Sequence, residues 1–229
     1  MADKNLSQLL KWSIEAQTAG QTTQNADGTT TTAPAQPTSQ LTPEILASIL
    51  GGPSDAELMN QSMAAITSPT LPAAEKLVAF DNFEQLIESL DNANNMSTLN
   101  LWAPLLSQLH VPEKDLRLYA AWCVGTAVQN NEKSQSALLA APGGLTRLVD
   151  MVVDEAEDEG VRRKAAYALS SACRNYQPAM DFVAEELVKK GAIGEGQKQV
   201  DAADMEAVDE VMNPLKEKIK KDATEKATA

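Results

Sequence analysis

One stretch of this chain occurs twice. Leu116-Arg117-x-x-Ala120-Ala121-Trp122 aligns without a gap on Val161-Arg162-x-x-Ala165-Ala166-Tyr167, an offset of 45 residues from position 116 to position 161. The register continues through Val124 with Leu169, Ala127 with Ala172 and Asn130 with Asn175. A weaker earlier copy, at an offset of 38 residues, sets Leu86 opposite Val124, Leu90 opposite Val128 and Asn92 opposite Asn130. A repeat of this length is one supersecondary unit. It cannot bury its apolar face alone and must stack on its neighbours to share one continuous core.

The content of the unit is helical. Aromatic residues are only 4% of the chain, so the β-branched and aromatic richness of a sandwich is missing. Apolar residues recur instead at helical spacing. Each unit predicts a short helix near Pro112 with its arginine at the corner, and a longer Ala-rich helix running to Asn130. A third helix carries Leu145, Leu148, Val149 and Val152 after Pro142-Gly143-Gly144. The first unit repeats that last part with Leu101, Trp102, Leu105, Leu106 and Leu109. This grammar favours an all-α, armadillo-repeat α-solenoid of about three repeats over the two-helix alternative of similar period. Ala120, Ala121, Gly125, Ala127, Ala165, Ala166, Ser170 and Ala172 are small enough for neighbouring helices to approach closely, and Arg117 and Arg162 are expected to brace helix corners.

Seven segments follow along the chain. Residues 1–16 form an amphipathic segment with Leu6, Leu9, Leu10 and Ile14 on one side and Trp12 nearby. Residues 17–40 hold eight threonines and no large apolar side chain, too little buriable surface to offset ordering entropy, and are read as a disordered N-terminal tether. Residues 41–74 predict capping helices: Thr42 and Pro43 open one that stops at Gly51-Gly52-Pro53, and Ser54 with Glu57 makes a capping box for the next. The repeats occupy 75–190, a loop 191–200, and a capping helix 201–221. That last helix carries Met205, Val208, Met212, Leu215 and Ile219 and is kinked at Pro214. Residues 222–229 read as a frayed tail.

Little in the sequence suits catalysis. There is one histidine, His110, with no cysteine or second histidine nearby, so no metal site and no nucleophile–histidine arrangement is expected. Gly51-Gly52 lacks a preceding strand and a following Gly-Lys-Ser/Thr, and reads as helix punctuation. The acidic run Asp154, Glu155, Glu157, Asp158, Glu159 reads as a solvated inter-helix loop. Cys123 and Cys173 read as buried free thiols. The expectation is a protein without catalytic residues or cofactor. A net charge of −13 repels nucleic acid and anionic membranes and permits a partner with basic patches. With no apolar run long enough to span a bilayer, and no signal peptide, a cytoplasmic setting is expected.

Polar material gathers where the main helices end: Asp91-Asn92-Ala93-Asn94-Asn95, Gln129-Asn130-Asn131-Glu132 and Arg174-Asn175-Tyr176-Gln177. Asparagine tolerates the left-handed conformation that ends helices, which accounts for one Asn at each place. The surplus amides suggest that stacking aligns the clusters into a polar ladder, a candidate partner-binding edge comprising Asn92, Ala93, Asn94, Asn95, Asn130, Asn131, Glu132, Arg174, Asn175 and Tyr176.

The strings LVAFDNFEQLIESLDNANN at 77–95, WCVGTAVQNNEKSQ at 122–135 and VRRKAAYALSSACRNYQPAM at 161–180, with LLKWSIE at 9–15 and GGPSDAELM at 51–59, are very similar to the armadillo-type nucleotide exchange factors of the heat-shock seventy chaperones, the family of fungal Fes-one and animal HspBP-one. The resemblance implies a solenoid that embraces one lobe of the chaperone's ATPase domain, opens its cleft and releases ADP, with no bond chemistry of its own. It implies a monomeric factor whose partner is that domain. It also implies that an N-terminal segment helps clear bound client from the chaperone, a task that Leu6, Leu9, Leu10, Trp12 and Ile14, on their tether, would suit by imitating a client polypeptide; docking back on the solenoid is the competing reading. Long relatives carry a further unit after the segment matching Met180, which this chain lacks. The competing reading, an armadillo adaptor for extended basic peptides, calls for a repeated Trp and Asn array. Only Trp102 lies in a third helix, and no Asn follows four residues later.

Overall fold

A computed structural model describes residues 52–228. The segment carrying Leu6 to Ile14, the tether 17–40 and the helix expected before Gly51 lie outside the described residues. Asp55–Ala229 makes one compact unit. The described residues hold ten α-helices and no strand: α1 (Asp55–Thr67), α2 (Ala73–Ile87), α3 (Leu90–Asn95), α4 (Trp102–Ser107), α5 (Lys114–Val128), α6 (Glu132–Ala140), α7 (Gly144–Val153), α8 (Glu159–Cys173), α9 (Gln177–Lys189) and α10 (Met205–Thr228). Short 3-10 turns occupy Gln108–His110 and Glu195–Gln197.

The helices stack in sequence order. α1 covers α2, α2 packs on α5, α5 on α8, and α8 on α10. The shorter helices α3, α6 and α9 touch one another in turn, and α7 packs on α8. The α5–α8 contact is the most extensive, and the small residues explain it. Ala120, Ala121, Gly125 and Ala127 on α5 and Ala165, Ala166, Ser170 and Ala172 on α8 are all buried. Gly125 is indispensable in this row. A Cβ there would sit 2.4 Å from the Tyr167 ring and 3.2 Å from the Ala168 backbone. Around this seam Phe80, Phe83, Ile87, Leu105, Leu109, Val124, Leu138, Leu148, Val161 and Leu169 close one core. Each contributes on the order of 1.5–3 kcal/mol of burial.

The sequence reading errs at three boundaries. No separate short helix precedes the Ala-rich helix. Pro112 holds Val111 extended (φ −69°, ψ 151°), the chain restarts at Glu113, and nothing between Arg117 and Ala120 breaks α5. The cluster Asp91 to Asn95 is not the end of the main helix of the first unit. α2 stops at Ile87, Ser89 is extended (φ −68°, ψ 126°), and Leu90–Asn95 is a helix of its own. The 38-residue register therefore does not carry Asn92 onto Asn130. The tail does not fray at 222, because α10 continues through Pro214 to Thr228.

The corner arginines do brace. Arg117 donates to the carbonyls of Val111 (2.8 Å) and Pro112 (2.6 Å) and makes a two-pronged pair with Glu157 at 2.8 and 2.6 Å. Arg162, at the equivalent position, donates to the Val152 carbonyl (3.1 Å) and pairs with Asp222 (2.8 Å). The acidic run before α8 is thus only partly a solvated loop. Glu157 is buried against Arg117, and Asp158 accepts from the Gly160 N–H at the start of α8 while pairing with Lys114.

Candidate partner-binding surface

The helix-end residues divide into two sets with different roles. At the first, Asn130 and Asn175 adopt the left-handed conformation, φ 51° and 58°, and both are exposed. The residue after each has nearly the same backbone: Asn131 at φ −135°, ψ 87° and Tyr176 at φ −136°, ψ 89°. The 45-residue repeat is therefore a repeat of turn geometry as well as of sequence. The lone positive-φ asparagine of the first unit is Asn100 (φ 57°), not Asn92.

The second set faces inward and ties unit to unit. Asn131 is buried; its side-chain Oδ1 caps α6 by accepting the Ser134 N–H, and its side-chain Nδ2 donates to the Ala127 carbonyl and Ser134 Oγ. Ser134 Oγ reaches back to the Ala93 carbonyl (3.3 Å). Gln135, also buried, donates to the carbonyls of Ser171 and Arg174, both at 2.9 Å. Asn92 donates to Asp55 (2.8 Å) and to the Leu86 carbonyl at the end of α2 (2.9 Å). Arg174 bonds Ser170 Oγ and Met205 Sδ and pairs with Asp209 of α10. Two of the expected edge residues, Ala93 and Asn131, are therefore in the interior, not on the surface. Asn130, Glu132 and Asn175 are exposed, and Asn92, Asn94, Asn95, Arg174 and Tyr176 are half-buried.

A continuous face is formed instead by the stacked helices α2, α5 and α8. A notch of about 460 Å³ is lined by Glu84 of α2 and Glu88 just past its end, Trp122, Thr126, Gln129 and Asn130 from the α5 end, and Tyr167 from α8. The Tyr119 and Trp122 rings meet at a 39° tilt with centroids 5.5 Å apart, and Lys164 Nζ lies 3.5 Å from the centre of the Trp122 ring. Thr126 Oγ1 donates to Glu84 (2.7 Å), and the Tyr167 hydroxyl donates to Gln129 (3.1 Å). Trp122, Lys164 and Tyr167 are absent from the expected site. Their signal was present in the register that aligns Trp122 with Tyr167, but a repeated aromatic is equally a sign of packing, and only the stacked helices place both on the surface.

Burial pushes the Cys173 thiol up to about 12 and the Cys123 thiol well above its ordinary value, so neither supplies a thiolate. His110 stands exposed on its 3-10 turn. Among the described residues no three His, Cys, Asp or Glu side chains come together as metal ligands. No single helix among them is long and apolar enough to cross a membrane.

Residues 6–96 match the family model described as nucleotide exchange factor Fes1. The chain is 57% identical over 224 residues to a Gibberella zeae protein named Hsp70 nucleotide exchange factor FES1, covering 96% of this chain and 100% of that one. A Neurospora crassa protein named Hsp70 nucleotide exchange factor fes-1 is 54% identical over 246 residues, covering 95% and 99%. The short region after Met180 is thus shared with relatives matched along essentially their whole length. The crystal structure of an engineered protein is similar in fold, with a TM-score of 0.51 at 17% identity over 78% of this chain and 71% of that one. This chain is a member of the Fes1 family of nucleotide exchange factors.

Proposed function

We propose that the chain binds the ATPase domain of a cytoplasmic heat-shock seventy chaperone and accelerates ADP release, so that the chaperone takes up ATP and lets its client go. The observation that carries this reading is the 57% identity, across 96% of the chain, with a protein named as such a factor. In this reading α2–α4, α5–α7 and α8 with α9 are three armadillo-type units, capped by α1 upstream and α10 downstream, and the chain acts as a monomer.

Linkage is the mechanism. A protein that binds the open, nucleotide-free chaperone more tightly by some factor must weaken ADP binding by that same factor, at about 1.4 kcal/mol per tenfold. No side chain of this chain needs to touch a reacting bond. Its task is to hold a rigid surface against one lobe, which the interior tie lines Ser134 to Ala93 and Gln135 to Ser171 serve by locking successive units together. The exposed Asn130, Glu132 and Asn175, with half-buried Asn92, Asn94, Asn95, Arg174 and Tyr176, are proposed as one contact edge. Ala93 and Asn131 support that edge from within. The segment with Leu6, Leu9, Leu10, Trp12 and Ile14 is proposed to imitate a client polypeptide.

The test is a stopped-flow measurement of fluorescent ADP leaving the chaperone. Saturating protein is expected to raise the release rate. An unchanged rate at saturation overturns the reading.

A further inference from the structure

The notch between α2, α5 and α8 has the chemistry of a receptor for a single positive charge. Trp122 and Tyr167 form aromatic walls, and Gly125 is the reason Tyr167 can lie so close to α5. Glu84 and Glu88 lie along the α2 side. Glu84 is more than nine-tenths buried; one of its carboxylate oxygens accepts from Thr126, and the other has no hydrogen-bond partner among the described residues. An ammonium group of this chain lies at the same aromatic pair, though it is not one of the residues lining the notch. Lys164 Nζ sits 3.5 Å from the centre of the Trp122 ring and 5.8 Å from that of Tyr167. Among the described residues Lys164 has no salt bridge. Burial depresses its ammonium below the ordinary lysine value, while the Glu84 charge opposes that shift.

We propose that this notch receives a lysine or arginine side chain of the chaperone's ATPase domain, which displaces Lys164 from the face of Trp122 and pairs with Glu84 and Glu88. The inference rests on the exchange-factor reading and specifies the chemistry of one contact within it. A cation on an indole face with a carboxylate beside it gains most when water is excluded, as it is at the centre of a protein–protein contact. The partner's guanidinium or ammonium would bring a free charge where Lys164 now supplies a tethered one.

The experiment measures affinity of the full chain for the purified ATPase domain by titration calorimetry, with ADP release followed in parallel. Glu84→Gln keeps the acceptor for Thr126 and removes the charge. It is expected to weaken binding about tenfold, and Trp122→Leu by a similar factor. Glu88→Gln, at an exposed position, is expected to weaken binding less and to flatten its dependence on salt. Lys164→Met, which takes the resident ammonium off the Trp122 ring, is expected to tighten binding. The inference is overturned if Glu84→Gln and Glu88→Gln both stay within about twofold of the parent affinity with unchanged melting temperature. It is equally overturned if Lys164→Met weakens binding, which would make the lysine itself the contact. A parent protein that neither binds nor speeds ADP release defeats the exchange-factor reading instead, whatever the variants do.

Discussion

Asp222 does for Arg162 what Glu157 does for Arg117. The two arginines occupy one position of the 45-residue repeat, and each receives a carboxylate from the next segment of chain: Glu157 from the loop before α8, Asp222 from α10 at 2.8 Å. Helix α10 thus supplies at the end of the stack the partner that a further unit would have supplied. Its Val208, Val211, Met212, Leu215 and Ile219 are buried, and Arg174 with Asp209 and Lys218 with Glu155 fasten it further.

Removing one member of the Arg162–Asp222 pair strands a charge in a nearly closed site, since Arg162 is 2% exposed. Arg162→Ala loses both that pair and the bond to the Val152 carbonyl, and is expected to cost about 3 kcal/mol. Urea unfolding measures it. Asp222→Ala is expected to raise hydrogen exchange in α10 more than in α5, because the break lies at the cap.

Acid should loosen the corner of Arg117. Burial raises the Glu157 carboxyl, but the Arg117 hydrogen bond, the Asp158 N–H and the Arg117 charge outweigh it and leave it below its ordinary value of 4.5. Asp158 is lowered too, chiefly by the hydrogen bond from Lys114. Carboxyls depressed in the folded state contribute stability that is fully present above their unfolded values. That stability is lost as pH falls through the folded ones. Melting temperature is expected to be level from neutrality to about pH 5 and to drop below the ordinary carboxylate values, and Glu157→Gln should shrink that drop.

Gly125→Ala places a methyl carbon 2.4 Å from the Tyr167 ring, so α5 and α8 must separate or the ring must move. The expected cost is about 1–3 kcal/mol. Adding Tyr167→Ala removes the main clash, so the double variant should lose less than the sum of the two single losses. A double-mutant cycle in urea detects the difference.

Gln135→Ala leaves the Ser171 and Arg174 carbonyls without their donor in the interior, at about 1–3 kcal/mol. Asn175→Gly is expected to leave stability nearly unchanged. Asn175→Val is expected to cost about 1–2 kcal/mol, because φ is 58° there and a β-branched side chain resists that conformation. Thermal melts separate the three variants.

Ala93→Arg tests the interior placement directly. Ala93 is buried and its carbonyl accepts from Ser134, so a guanidinium there must either unpack α3 or be driven out of the seam. A fall in melting temperature is expected together with any loss of partner binding. Loss of binding with an unchanged melt would place Ala93 at the contact itself.

The sequence by itself determined the all-helical character of the chain and its 45-residue repeat. Apolar spacing, the matched stretches Leu116 to Trp122 and Val161 to Tyr167, and the corner arginines Arg117 and Arg162 are local or periodic signals, and helix formation depends on those. What it could not determine is which face of a polar helix end looks outward. Asn130 and Asn131 are adjacent and chemically identical, yet one is exposed and the other buried as the cap of α6. The difference arises from the left-handed turn at Asn130, which reverses the direction of the next side chain, and from the position of the neighbouring unit that closes over it. Likewise Trp122 and Tyr167 are aligned in the sequence but become one notch only because Gly125 lets α8 close on α5. Distances between units are set by the sizes of all the side chains in the seam at once, and that sum exists only in the tertiary structure.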